Sequence, residues 1–264
     1  MIKVYNNGND FILENKDFLD LNRYMAVFFY IDAKALNETN KKNYAIKAET
    51  DGKKLLAIKV EPYNLCLYGD FECLKELISY LYDNSYDLNG VLCSTMIGDE
   101  LIKLSKDSKN KYHLSIGMDF MEAKEFTEET SELVLKTCKN DLDELFELSG
   151  AFFKECGLLD VPDKEKLLDC VTYFRVIREN KKIVSMASLT KDTKTSYRIT
   201  HVYTLPEYRG RGYARKIVNY IKNEIISLGF TATLNVDQKN PISYHLYESL
   251  GFKKVFSQGI YNKD

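Results

Sequence analysis

The chain has 264 residues, 45% of them hydrophobic and 29% charged, with a formal net charge of -2. That is the composition of a soluble globular protein with enough length for one large domain or two ordinary ones. It excludes a broad basic field for nucleic acid or acidic membranes, and no apolar run is long enough to span a bilayer. The six cysteines form no CxxC pair and no Cys/His cluster of zinc spacing, so no metal is expected. The opening MIKVYNNGNDFI lacks a basic n-region and an apolar h-region, which points to a reducing cytoplasm.

In chain order, IKVY reads as a short strand, followed by helical material from about Asp10 to Leu36. YAIKAET and KLLAIKV alternate around Asp51-Gly52, a two-residue hairpin signal. NLCLYG is a strand, and Asp70 is placed to cap the helix FECLKELISYLYDN. LNGVLCS, TMIGDELIKLSKD and YHLSIGMDFMEAKEF read as strand, helix and long strand. Thr127 to Ser131 is polar and aperiodic, and the domain boundary is placed there, giving domains 1-128 and 129-264.

Beyond it, ELVLKTC is a strand, and NDLDELFELSGAFFKE and PDKEKLLDCV are helices, the second beginning at Pro162. TYFRVIREN and KKIVSMASL form a hairpin, and SYRITHVYTL a longer strand. GYARKIVNYIKNEIISLG carries an apolar stripe at Ala214, Ile217, Val218, Ile221 and Ile225, with Gly229 as its C-terminal cap. TATLNV is a strand, and Asn240-Pro241 opens a short helix that Gly251 ends. FKKVF and GIYNK read as a closing pair of strands. The two halves share a coarse element order, as an internal duplication would leave, but only the second has a glycine loop.

That loop, TLPEYRGRGYA, is the most informative stretch of the chain. A strand running through glycines into a helix start offers amides without intrahelical acceptors and the positive end of a helix dipole. Gly210 and Gly212 let an anion reach the backbone, and Arg209 and Arg211 add permanent cations, which suits a pyrophosphate. The loop runs into Tyr213-Ala214-Arg215 rather than Gly-Lys-Ser/Thr, so it is not a nucleotide P-loop. A dinucleotide fingerprint lacks its third small residue at Arg215, although Asp237 stands where a ribose partner belongs.

Arg209-x-x-Gly212-x-Ala214 resembles the acyl-CoA signature of the GNAT superfamily of N-acetyltransferases. Val202-Tyr203-Thr204-x-Pro206 is similar to the strand leading into it. Asn240-x-x-Ser243-x-x-x-Tyr247-x-x-x-Gly251-Phe252 is similar to the family's later segment, beside the pantetheine and thiol. The resemblance covers about Glu132 to Lys263. It implies a mixed, mostly antiparallel, splayed sheet flanked by helices in the second half, beside a first α/β domain of similar order and possibly degenerate GNAT-like character.

It further implies a bulge that splays SYRITHVYTL from TATLNV, opening a gap for the pantetheine of acetyl-CoA. Amides near Val202 and Thr204 would hold the pantetheine and polarise the thioester, with Tyr203 lining the acceptor pocket. Arg209, Gly210, Arg211, Gly212, Tyr213 and Ala214 would take the pyrophosphate, and Asn240 and Ser243 would lie along the cofactor. Tyr247 would protonate the CoA thiolate, although most of the chain's 19 tyrosines must be structural. No acidic residue stands in SYRITHVYT, which leaves His201 as the candidate base on that strand. No cysteine is expected near either motif, so direct transfer to a small-molecule or peptide amine is expected, by a monomer or homodimer. A CoA-binding sensor without catalysis and a nicotinamide-dependent oxidoreductase are the competing readings.

Overall fold

A computed structural model describes residues 1–129, 131–157 and 163–264, with every side chain in them but that of Arg23. The chain forms two compact units. Unit 1 holds residues 1–120, 237–239 and 256–264, and unit 2 holds 121–236 and 240–255. Each is a mixed sheet with helices on both faces, and no helix among the described residues is long and apolar enough to cross a membrane.

Unit 1 runs β1 (Ile2–Tyr5), α1 (Gly8–Leu19), α2 (Arg23–Ala35), β2 (Tyr44–Thr50), β3 (Lys53–Lys59), β4 (Leu65–Gly69), α3 (Leu74–Asp83), β5 (Gly90–Ser94) and α4 (Thr95–Ser105). It also takes residues 112–120 of β6 (Tyr112–Ala123) and residues 256–263 of β12 (Lys253–Lys263). Asp51 and Gly52 are both left-handed, the backbone that a tight two-residue hairpin requires. Asn7 and Asn22 cap α1 and α2. Alternation sorts the core. Tyr44, Ile46, Leu55 and Ala57 face α3 and α4, while Ala45, Leu56 and Ile58 face α1 and α2. Strands β1 to β4 are antiparallel, and β4 pairs parallel with β5 only at Leu65–Val91 and Cys66–Leu92. Asp70 does not cap α3, because its carboxylate instead accepts the Lys54 amide at 2.8 Å and closes the turn after β4.

Unit 2 runs β7 (Leu135–Lys136), α5 (Leu142–Glu155), α6 (Lys164–Cys170), β8 (Phe174–Glu179), β9 (Lys182–Thr193), β10 (Ser196–Thr204), α7 (Tyr213–Ser227), β11 (Thr231–Asp237) and α8 (Pro241–Ser249). Strands β7 to β10 are antiparallel and β11 joins β10 parallel. The stripe of α7 is buried at Ile217, Val218, Ile221 and Ile225, packing on Val184, Leu189, Ile199 and Leu234. The other face packs α5 and α6 through Leu145, Leu148 and Leu167. Gly229 and Gly251 are left-handed where α7 and α8 end. The strand expected over ELVLKTC is only the two residues of β7. The expected Pro162 helix start lies outside the described residues, and the described helix begins at Lys164, capped by Asp163. The expected closing pair is one strand, β12, because Ser257 and Gln258 continue the extended backbone across what read as a break.

Candidate active site

β10 and β11 separate almost as soon as they meet. They pair at Ser196–Thr231, Tyr197–Ala232 and Arg198–Thr233, and beyond Arg198 no register joins them. On its other edge β10 stays with β9 through Thr204, but between Thr200 and Tyr203 it carries one residue more than β9 does. The extra residue falls at His201, which is left-handed at φ 52°, so the resemblance's bulge and splay are both present. Leu205 N–H is given to Val184 O at 3.0 Å. Alternation then turns the Tyr203 amide towards β9 and the amides of Thr204 and Val202 towards the open edge.

The glycine loop lies at the end of that edge. Gly210 and Gly212 are both left-handed at φ 77°, and the first helical bond of α7 is Lys216 N–H to Gly212 O at 3.1 Å. Gly212 contributes no side chain as N-cap, so the first-turn amides of α7 have no side-chain acceptor from the cap. The arginines are not arrayed as the sequence suggested. Arg209 folds back on the strand end, with Nε to Thr204 O at 2.9 Å and Nη2 to Glu155 at 2.6 Å, and its guanidinium lies 5.6 Å from the Tyr203 ring centre. Arg211 pairs with Glu179 at 3.3 Å, and Arg215 with Glu129 at 3.2 Å and Ser249 at 2.7 Å.

Across the loop, the Asn240 side chain accepts the Ser243 amide at 3.0 Å and starts α8. One cleft of about 560 Å³, wholly within unit 2, then gathers Val202, Tyr203, Thr204, Arg209, Gly210, Gly212, Tyr213, Ala214, Asn240 and Ser243. Arg211, Tyr247 and His201 are outside its lining. Tyr247 is buried against Phe252, and burial, with a smaller contribution from Cys156, pushes its phenol up to about 12, while Ser243 pulls the other way. His201 turns into a box of Phe152, Phe153 and Phe174, with Nδ1 3.0 Å from Ser188 Oγ and 3.1 Å from Thr200 Oγ1. Burial lowers its pKa and keeps the imidazole neutral.

Phe152, Glu155 and Cys156, at the end of α5, also line the cleft and were missed in the sequence. Cys156 corrects the expectation that no thiol lies near the motifs, since it is far from them in sequence but shares their cleft and acts on Tyr247. The α5 helix was legible, but not which end of it meets the loop. No group of three or more His, Cys, Asp and Glu side chains able to hold a metal occurs among the described residues.

An open strand edge leading into a glycine loop with an uncapped helix start agrees with the family comparison. Residues 140–252 match the model of the acetyltransferase (GNAT) family. This stretch is a GNAT acetyltransferase domain. Comparison with curated proteins gives no match. Among solved structures, the chain is similar to a GNAT-family acetyltransferase from Colwellia psychrerythraea at 12% identity, covering 100% of this chain and 99% of that one with a TM-score of 0.68. It is also similar to a GCN5-related N-acetyltransferase from Sphaerobacter thermophilus at 14% identity, covering 84% and 80% with a TM-score of 0.62. At these identities the likeness is one of fold, and the first of them runs the whole length of the chain, beyond the GNAT domain itself.

Proposed function

We propose that the chain is an acyl-CoA-dependent N-acyltransferase that moves acetyl from acetyl-CoA directly to a primary amine. The observation that carries this reading is the β10 edge, left open by the splay, ending at the glycine loop inside one cleft. Its donors fit the ligand. The amides of Val202 and Thr204 can pair with the pantetheine as a neighbouring strand would, and the loop and first-turn amides can take the pyrophosphate. Acetyl-CoA would supply the activated acyl group, and the chain's residues hold it, polarise it and move protons.

An amide on the open edge, aimed at the thioester oxygen, stabilises the charge that develops there as the amine nitrogen attacks. When the C–S bond breaks, Tyr247 gives its proton to the leaving sulfur, and the proton that the nitrogen sheds as the amide forms restores the phenol. A phenol held up at about 12 stays protonated throughout the physiological range, and Ser243, one turn before it on α8, stands on the cleft wall. The attacking amine, with a free pKa of ~10.4, must lose a proton first. His201 is neutral and is the candidate acceptor on β10, and Phe152 is the ring shared by the His201 box and the cleft.

Thiol release from acetyl-CoA, measured over a panel of small and peptide amines, tests the reading. Turnover with at least one amine is expected. CoA binding without turnover on any amine would support the sensor reading instead, and NAD binding without CoA binding would support the oxidoreductase.

A further inference from the structure

Every arginine at the glycine loop is held by a glutamate. Arg209 pairs with Glu155, Arg211 with Glu179, and Arg215 with Glu129. These pairs differ in what else holds them. Arg209 is bound to the backbone of β10 and lies over Tyr203, so it belongs to the architecture of the strand end. Arg215 ties α7 to α8 through Ser249. Arg211 is different. Beyond Glu179 its guanidinium has a 3.4 Å contact to Glu207 O and lies 5.0 Å from the Tyr208 ring centre, and its side chain is half exposed. Glu179 also accepts the Tyr213 hydroxyl, so one carboxylate holds side chains on both sides of Gly212.

A carboxylate there opposes the loop's chemistry. The amides and the dipole of α7 favour a negative ligand, while Glu179 places a negative charge beside them and occupies Arg211. Exposed ion pairs of this kind are weak, so the guanidinium can leave one anion for another with little loss. Phosphate oxygens accept a guanidinium fork as well as a carboxylate does.

We propose that Glu179 is a built-in competitor for the phosphate groups of the acyl-CoA ligand. It holds Arg211 and Tyr213 in the free protein and yields Arg211 to a ligand phosphate on binding. Glu179 therefore sets how tightly the ligand is held and how readily product CoA leaves. This rests on the proposed CoA site, and the experiment separates the two ideas. CoA and dephospho-CoA are titrated calorimetrically into the wild-type full chain, E179Q, R211M and the double variant.

Wild-type binding of CoA upholds the site, and its absence overturns the proposed function and the role of Glu179 with it. Given binding, E179Q is expected to hold CoA roughly 3- to 10-fold tighter, with the gain shrinking as salt rises. R211M is expected to bind more weakly and to abolish the gain in the double variant. An equal gain for dephospho-CoA assigns Arg211 to the pyrophosphate, and a gain confined to CoA assigns it to the 3′-phosphate. If E179Q binds CoA no tighter than wild type, or more weakly, Glu179 is only a support for Arg211 and Tyr213 and the proposal falls. Melting curves of each variant establish that the comparison is between folded proteins.

Discussion

The two units repeat one order, and at one join they part. In unit 1, β4 is followed by Asp70, whose amide is given to Lys54 O, then a 3-10 turn over Phe71–Cys73, and α3 begins at once with Leu74. In unit 2, β10 is followed by Leu205, whose amide is given to Val184 O, then a 3-10 turn over Pro206–Tyr208. Only then do Arg209, Gly210, Arg211 and Gly212 intervene before α7. Both parallel pairs separate early, β4 from β5 and β10 from β11, so the splay belongs to the fold. What unit 1 lacks is four residues. In unit 1 the helix start is buried, with Cys73 and Leu74 in the core, and Gly69 lies so close to Lys54 O that even a Cβ would clash. The glycine loop is thus a short insertion on a shared frame.

The largest effect should come from erasing that difference. Deleting Arg209 to Gly212 gives unit 2 the join that unit 1 already has. We expect cooperative unfolding to survive and CoA affinity to fall more than about 100-fold, since the loop amides and their left-handed glycines go together. Calorimetry decides it, and CoA binding that persists would break the comparison. Next is Tyr247→Phe, expected to lower kcat by about 100-fold with KM for acetyl-CoA little changed. Because burial holds this phenol up to about 12, wild-type kcat should show no alkaline fall from Tyr247 below about pH 11. An unchanged kcat in the variant would remove Tyr247 as the acid.

The smallest effect concerns a buried charge in unit 1. Burial lifts the Asp32 carboxyl to about 6, against a weaker opposing contact with the Cys66 thiol. A raised carboxyl is a stabilising asset only while protonated, so its contribution is complete below about pH 4 and lost as pH rises through 6. Asp32→Asn should therefore raise stability at pH 8 by about 1–3 kcal/mol and leave it unchanged near pH 4. Urea denaturation at the two pH values measures this, and an equal gain at both would show that ionisation is not the cause.

The parts of the site that were legible are those written locally. Alternation gave β10, the 3.6-residue stripe gave α7, and Asn240-Pro241 gave the start of α8, because each depends on neighbours within a turn or two. The side-chain partners were not legible. Arg209 meets Glu155, 54 residues away, and Arg211 meets Glu179, 32 residues away, so the two cations that looked aimed at a ligand are paired with carboxylates on distant elements. Cys156 escaped for the same reason. The direction of His201 was hidden by the bulge, since one extra residue in β10 shifts the alternation of its side chains.

The thiol on the cleft wall has a practical consequence. Cys66, Cys73 and Cys93 are buried, whereas Cys156 lines the cleft and Cys138 is exposed elsewhere in unit 2. Alkylation with a small iodoacetamide should therefore mark both, and bound CoA should shield Cys156 alone. The ratio of the two labels, read by peptide mass, reports cleft occupancy without turnover and carries its own calibration in the same molecule.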